Sequence, residues 1–505
     1  ERQGAKRNKK SRKAKPEQSV RIDRPVQQDL ASVSTDQKPI EAVRRSTGRP
    51  NVLLLYIDDL KPMTRDYGQE HMKTPNFDRL AARGLRFENA YCQVPTCGAS
   101  RASLMTSLYP TIERFPNFKC WAEKDAAGQP TLPQRFREAG YVTISNGKVF
   151  HHRGDTESRS WTEEAWRPTT TGRTTYNPES EEFLLTSTHT KKNDKVKAIK
   201  KALMFEKGRV ETMETHDGKI AAKTIADIER LSSSEQPFFI ACGFAKPHMP
   251  FYSPEKTWKP YPVKSIALAE HRERPLGMPN ASREVREQNS YVPMTQNLER
   301  VIKYNSDLYH RRMRQGYYAS VTHADDLLGH ILDALNASGV ADNTFVVVLG
   351  DHGWLLGEHN EWAKNTLLQE ALRTALWISG PGIETNQAVE TCIEFVDIHP
   401  TLCELAKIPL EAEAIDGESF VNALKSPQES HREFAYTRFE TGDTISSPEY
   451  QYGIWRAKDG SEETLLIDRK LDPESTQNRS GEENYQAVEE RLRGVLLDRI
   501  AKAHD

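Results

Sequence analysis

Two apolar runs constrain what this chain can fold into. Val52-Leu53-Leu54-Leu55-Tyr56-Ile57 and Thr344-Phe345-Val346-Val347-Val348-Leu349 are almost unbroken, the pattern of strands buried on both faces of a parallel sheet. Each run ends in potential metal ligands, Asp58-Asp59 after the first and Asp351-His352 after the second. Open parallel sheets bind ligands beyond the carboxyl ends of their strands. A single aspartate there commonly starts a turn; two such pairs on the two most apolar strands mark a metal site. Three carboxylates brought together repel one another unless a cation lies between them, and oxygen donors suit Ca2+ or Mg2+. His352 is a poorer partner for a hard ion.

Helix and strand alternate through the rest of the first four hundred residues. Thr74-Pro75-Asn76 leads into a helix over 77–83 closed by Gly84, and 132–139 is amphipathic up to Gly140, with a strand over 141–144. Ile220, Thr224, Ile225, Ile228 and Leu231 keep helical spacing before a buried strand over 237–241, and 317–335 reads as a long helix. This order predicts α/β organisation. Residues 152–215 are polar and irregular, an inserted surface segment, and the proline-punctuated 252–301 is expected to wall a cleft. After Pro427 the texture turns to short strands, over 434–436 and 452–455, and a final helix over 487–503. The expected domains are therefore a basic, polar tail over 1–48, a catalytic domain over 49–426 and a smaller α+β subdomain over 427–505.

Between the first strand and the helix over 132–139 lies Cys97-Gly98-Ala99-Ser100-Arg101. Pro95 keeps the preceding residues in a loop, and 101–108 is a good helical run, so Cys97 sits near a helix N-terminus that favours an anion. Arg101, one turn on, adds a cationic fork suited to sulfate or phosphate oxygens. The segment is an anion site containing a thiol; a small buried core cysteine is the alternative reading.

The net charge of −2 over 505 residues argues against bulk nucleic-acid binding, and six cysteines in that length make no dense disulfide scaffold. If Cys97 is modified, at most two bridges can form. No run approaches the roughly 18 apolar residues of a membrane helix. The tail crowds Arg2, Lys6, Arg7, Lys9, Lys10, Arg12, Lys13 and Lys15 at its start without interleaved aromatics, and reads as a solvated arm. Without an initiator methionine or an apolar signal core, the chain is expected to be processed or trimmed.

Cys97 to Arg101 resembles the alanine form of Cys-x-Pro/Ala-Ser-Arg, the signature of type I sulfatases. Asn51 to Asp59, Gly147-Lys148-Val149-Phe150-His151, Lys246-Pro247-His248-Met249-Pro250, Asp351-His352-Gly353-Trp354 and Gly357 to Lys364 follow in the order seen in that family. The ordered set is similar to the iduronate-2-sulfatase branch of the alkaline-phosphatase-like superfamily, from about residue 50 to 410. The resemblance implies an α/β fold with a large, mixed, mostly parallel central sheet flanked by helices, and a small C-terminal sheet domain. It implies that Asp58, Asp59, Asp351 and His352 hold one Ca2+ beside Cys97, which a formylglycine-generating enzyme converts to formylglycine. Many sulfatases have asparagine where His352 stands, although this branch shares the histidine. The hydrated aldehyde would displace the alcohol from sulfur, and sulfate would then be eliminated from the enzyme-bound ester, which needs a second hydroxyl that no thiol or serine has.

On the same resemblance, Arg101, Lys148 and Lys364 match the cations that spread sulfuryl charge. His151 matches the base that triggers elimination, and His248 the acid that protonates the departing sugar oxygen. Lys246, His359 and Glu361 match no role, and His152 points away from His151 if the segment is extended. The family implies a sulfated oligo- or polysaccharide substrate and a secreted or periplasmic location. Trp121, Trp161, Trp166, Arg167 and Tyr252 are loop candidates for sugar contact. Two other functions are weighed: a phosphatase or phosphonate-ester hydrolase of the same superfamily, and a catalytically silent glycan-binding protein with unconverted Cys97. Phosphatases without formylglycine use Ser or Thr with two zinc ions, which the Cys97 motif disfavours.

Overall fold

Eight strands build the central sheet: β1 Asn51–Ile57, β2 Gly84–Tyr91, β3 Val142–Gly147, β4 Phe238–Phe244, β5 Thr344–Gly350, β6 Arg373–Thr374, β7 Leu376–Ser379 and β8 Gln387–Glu394. The computed structural model describes residues 48–186, 189–192, 195–198, 202–282, 287–411 and 415–504. All of the expected basic tail except Gly48 lies outside them. In space the strands run β3–β4–β1–β5–β7–β2–β8, with β6 continuing the β7 pairing along β2. β1 pairs in parallel with β4 and β5, β3 with β4, and β8 with β2; β6 and β7 run against their neighbours. The sheet is thus mixed and mostly parallel.

The unbroken apolar character of β1 follows from its central place. Val52, Leu54 and Tyr56 enter one hydrophobic core, and Leu53, Leu55 and Ile57 enter the other. The first core is covered by the helices α2 Cys97–Thr106, α3 Leu132–Glu138 and α6 Ile398–Leu405. The opposite core is covered by α1 Pro75–Ala82, α4 His216–Ser232 and α5 Asp307–Ala337. Thr215 and Ser306 cap α4 and α5, their hydroxyls accepting from the amides of Gly218 and Tyr309.

Some elements depart from the sequence pattern. β3 runs beyond Ile144 through Ser145-Asn146-Gly147, where Asn146 Nδ2 donates to Asp227 Oδ2 at 2.9 Å. α5 begins nearly three turns ahead of the expected start at 317, its polar first part carrying buried Tyr309 and Met313. β2 shows no apolar run because Arg86 and Glu88 pair with each other along it. The segment 152–215 includes short helices and strands, and 252–301 is largely irregular. At the C-terminus, β9 Ala435–Phe439, β10 Gly442–Ser446, β11 Tyr450–Arg456 and β12 Glu462–Asp468 form an antiparallel meander. Helix α7 Gln486–His504 packs on it through Leu492 and Leu496. Among the described residues no helix is long and apolar enough to cross a membrane. The six cysteines are all free and buried.

Helix α2 is lodged against α6, where His399 is fully buried and its Nδ1–H donates to the carbonyl of Met105 at 3.1 Å. Burial, helped by the Arg135 charge, pushes His399 down to about 3. Below the ordinary histidine pKa the unfolded chain therefore binds a proton that the folded protein refuses, so stability falls as pH drops from about 6.5. Between pH 7 and pH 5 this one group removes about 2 kcal/mol. His399→Gln, which can still donate to Met105, is expected to lose about 2 kcal/mol less over that interval in urea unfolding.

Candidate active site

The predicted site residues follow the carboxyl ends of successive sheet strands, where an α/β sheet binds its ligands. Asp58 and Asp59 follow β1, Cys97 opens α2 after β2, Lys148 and His151 follow β3, His248 follows β4, and Asp351 and His352 follow β5. Lys364 comes just after the short strand Trp362–Ala363. Two local conformations let these side chains meet. An extended chain would send Asp58 and Asp59 to opposite faces, but Asp59 has a left-handed φ of 65°, which aspartate tolerates. Its amide then donates to Asp351 Oδ1 at 3.0 Å. At the end of β3, Gly147 has φ 77°, and Lys148 N donates to the carbonyl of Gly243 at 2.8 Å. A side chain at Gly243 would put its Cβ 2.0 Å from the Lys148 carbonyl oxygen, so only glycine fits.

Arg101 ties the centre together. It is fully buried: Nε donates to Asp351 Oδ2 at 2.9 Å, Nη2 to Asp58 Oδ1 at 3.3 Å, and Nη1 to the carbonyls of Lys148 and Val149. The guanidinium also lies over the Tyr56 ring, 4.8 Å from its centroid. Lys148 Nζ donates to Asp58 Oδ2. Lys364 Nζ donates to Asp59 Oδ1 at 2.6 Å and to Cys97 Sγ at 3.1 Å. His352 Nε2 is 3.4 Å from Cys97 Sγ and 3.3 Å from Asp59 Oδ1. His248 Nε2 lies 4.0 Å from Asp59 Oδ2. His151 stands near enough to feel the charges of Lys148 and Asp58, with its buried Nδ1 unpartnered among the described residues.

The electrostatics follow from burial among opposite charges. Burial raises the Asp58 carboxyl, but Lys148, His248, Arg101 and Lys364 outweigh it and hold the group well below the usual carboxylate range. Burial wins at Asp59, which is pushed up. Burial, then the Asp58 charge, drives the Cys97 thiol well above its ordinary value. His151 is pushed down to about 2 by burial and by Lys148.

The cluster can hold a metal ion. Ligand atoms of Asp58, Asp59, Cys97 and His248, and those of Asp58, Cys97, Asp351 and His352, lie within 4.8 Å of one another. Asp59 Oδ2 is buried and accepts no hydrogen bond among the described residues, an unsatisfied anionic oxygen of the kind a bound ion would complete. His352 Nδ1–H donates to the carbonyl of Gly353 at 2.9 Å, and burial lowers its pKa, so the neutral ring turns the Nε2 lone pair toward the cluster.

One site residue has no counterpart in the sequence analysis. Glu287 Oε1 is 3.2 Å from His248 Nε2 and its Oε2 is 3.7 Å from Lys364 Nζ. It lies in the irregular 252–301 stretch, where no periodicity marks it. Several sugar-contact candidates are corrected. Trp161 and Tyr252 are buried in hydrophobic cores, and Trp121 is stacked on His152 at 4.5 Å with Lys124 over its ring. Arg167 braces the turn after β3, donating to the carbonyls of Gly147, Phe150 and His151. Lys246 likewise donates to the carbonyls of Gly172, His248 and Pro250. His359 pairs with Glu370, and Glu361 with Arg274.

The mixed, mostly parallel sheet flanked by helices is the alkaline-phosphatase-like fold, and the acidic cluster and helix-borne cysteine lie at its carboxyl edge. The sulfatase family model matches residues 50–408, and the chain belongs to that family, on its iduronate-2-sulfatase-like side. A second model, "N-sulphoglucosamine sulphohydrolase, C-terminal", matches 357–502. Mouse iduronate 2-sulfatase is 31% identical over 401 residues, covering 72% of this chain and 70% of its own. A sulfatase of Formosa agariphila is 29% identical over 490 residues, covering 92% and 90%. Among solved structures, a protein in complex with its substrate D-glucosamine-2-N,6-O-disulfate superposes with a TM-score of 0.71 at 18% identity, covering 90% of this chain and 98% of that one. The phosphonate monoester hydrolase of Agrobacterium radiobacter gives 0.70 at 21% identity, covering 90% and 96%. At these identities the two structures establish the fold alone.

Arg101→Lys keeps one charge but abandons the fork, leaving buried carboxylate and carbonyl oxygens without donors. The variant is expected to lose about 3 kcal/mol of stability in urea unfolding, the scale of breaking a buried ion pair. Lys148→Met, which leaves Asp58 still paired with Arg101, is expected to lose less than Arg101→Lys.

Proposed function

We propose that this sulfatase removes a sulfate ester from a carbohydrate, with position 97 acting as formylglycine and one Ca2+ held by Asp58, Asp59, Asp351 and His352. The observation that carries the reading is the convergence of Lys364, His352 and Asp59 on Cys97 at the start of α2. The thiol itself is a poor nucleophile here, because burial and the Asp58 charge keep it protonated. As formylglycine hydrate, position 97 supplies one hydroxyl to attack sulfur and a second whose deprotonation later releases sulfate. Bound Ca2+ supplies Lewis-acid polarisation of a sulfate oxygen.

The protein groups divide the remaining work. Arg101 is fully engaged by Asp58, Asp351 and two carbonyls, so we assign it to holding the site rigid. Lys148 and Lys364 then carry the charge that grows on the sulfuryl oxygens. His248, beside Glu287, delivers a proton to the sugar oxygen as its bond to sulfur breaks. We assign His151 to accept the proton of the second hydroxyl, its ring being kept neutral by burial and made more basic when the anionic sulfate ester lies beside it. Carbohydrate as the substrate class is supported by the names of relatives, iduronate 2-sulfatase and a "2-O GAG sulfatase" among them. Maturation by a formylglycine-generating enzyme, and a secreted or periplasmic location, belong to the same reading through the family.

On protein co-produced with that maturation enzyme, peptide mass spectrometry across residue 97 is expected to find aldehyde in place of thiol. Cys97→Ala is expected to abolish sulfate release while sulfated-glycan binding survives; persistent thiol in an active enzyme would refute the nucleophile. His248→Ala is expected to lower kcat about 100-fold on sugar sulfates and far less on aryl sulfates, whose oxygen leaves without a proton. Equal losses on both would remove His248 as the acid. Ca2+ at one hundred times its Kd is expected to raise unfolding free energy by about 2.7 kcal/mol, an increase that chelator reverses.

A further inference from the structure

The loop between α2 and α3 is held at both ends and brings its middle against His151. Phe115 and Cys120 are buried in the core beneath the sheet, and Phe115 holds a left-handed φ of 57°, which an aromatic residue adopts only when its surroundings impose it. Between them, Asn117 Oδ1 accepts from the amide of Lys119 at 2.9 Å and closes a tight turn. The turn rests on the residue next to the nucleophile position. A Cβ at Gly98 would lie 2.3 Å from the Phe118 carbonyl oxygen, so the absence of a side chain there is what lets the loop seat against α2. The Phe118 ring stands edge-on to His151 with centroids 6.0 Å apart, yet it is 49% exposed. Lys119 Nζ is 5.8 Å from the centre of that ring.

A lone exposed phenylalanine says little. This one is fixed by its backbone one residue from position 97, touches the histidine assigned to sulfate release edge-on, and carries a cation over one face, with no ring stacked on the other among the described residues. Trp161 and Tyr252 are buried, Trp121 is stacked on His152 and Trp166 is partly buried against the core, whereas Phe118 is an exposed aromatic ring directly beside His151. We propose that Phe118 is the stacking platform for the sugar ring whose sulfate is removed, and that Lys119 meets a second anionic group on the same saccharide. The sugar's apolar C–H face would lie on the aromatic ring, and the lysine selects a substrate with more than one negative charge. The inference rests on the carbohydrate-sulfatase reading above.

The test uses the full chain matured with formylglycine, and free sulfate measured by ion chromatography. The probes are heparin-derived disaccharides, chondroitin sulfate disaccharides and ι-carrageenan tetrasaccharides, and KM and kcat are then followed on the best of them. Phe118→Trp is expected to match or lower KM, Phe118→Leu to raise it several-fold and Phe118→Ala to raise it about tenfold, equivalent to 1.4 kcal/mol. Across the series kcat should change less than KM. Lys119→Gln is expected to raise KM on a disulfated probe more than on a monosulfated one. Leucine matching phenylalanine, or equal KM across the series, would overturn the platform while leaving the sulfatase reading intact. No sulfate from any of the three probes with the unsubstituted, aldehyde-bearing enzyme would overturn both. Circular dichroism melts of every variant guard against misfolding; a kcat loss without a KM change in a folded Phe118→Ala would also overturn the proposal.

Discussion

Three carboxylates cannot be buried side by side without cations, and that requirement governs this structure. Asp58, Asp59 and Asp351 are all removed from water, and an ion pair in such a place is stabilising only when its geometry is close to ideal. Arg101 meets the condition by satisfying Asp58 and Asp351 with one planar fork. Because Arg101 lies one helical turn after Cys97, the contact that neutralises the aspartates also sets the position of Cys97. The acidic cluster and the start of α2 are therefore one rigid object, and neither can shift without exposing uncompensated charge in the other.

The sheet explains why residues scattered over three hundred positions can build that object. β1, β2, β3, β4 and β5 all point their carboxyl ends to one edge, and each delivers its chemistry within a few residues of its last pairing. Strands buried on both faces cannot slip in register without exposing apolar side chains. The cores on either side of β1 thus fix the depth at which Asp58 and Asp59 emerge. Gly243, with no room for a side chain against Lys148, does the same for the turn after β3.

This division marks what the sequence could reveal. Val52 to Ile57 and Thr344 to Leu349 announce themselves, because a strand covered on both faces needs apolar residues at every position. The acidic residues and histidine at their ends were legible as a cluster for the same reason, and the order of the family motifs supplied Lys148, His248 and Lys364. β2 was missed, since Arg86 and Glu88 satisfy each other across its surface and leave no unbroken apolar run. Glu287 was missed because a residue in an irregular segment has no periodicity to betray it; only the fold brings it to His248 and Lys364. Exposure was equally hidden. Trp161 and Tyr252 look like surface aromatics in polar sequence, yet tertiary packing buries both.

The same division separates chemistry from selectivity. Groups on strand ends are held by two hydrophobic cores and a charge network, so their geometry tolerates little change. On the carbohydrate-sulfatase reading, the walls of the site come from the segment carrying Glu287 and the turn at Phe118, which are anchored in the cores by buried side chains such as Trp258, Tyr261, Phe115 and Cys120. A substitution in those walls alters what can lie over the site without disturbing Asp58, Asp351 or Arg101. A fixed sulfate-cleaving centre can therefore serve different saccharides through changes confined to loops, and the saccharide has to be sought in residues that no strand pattern marks.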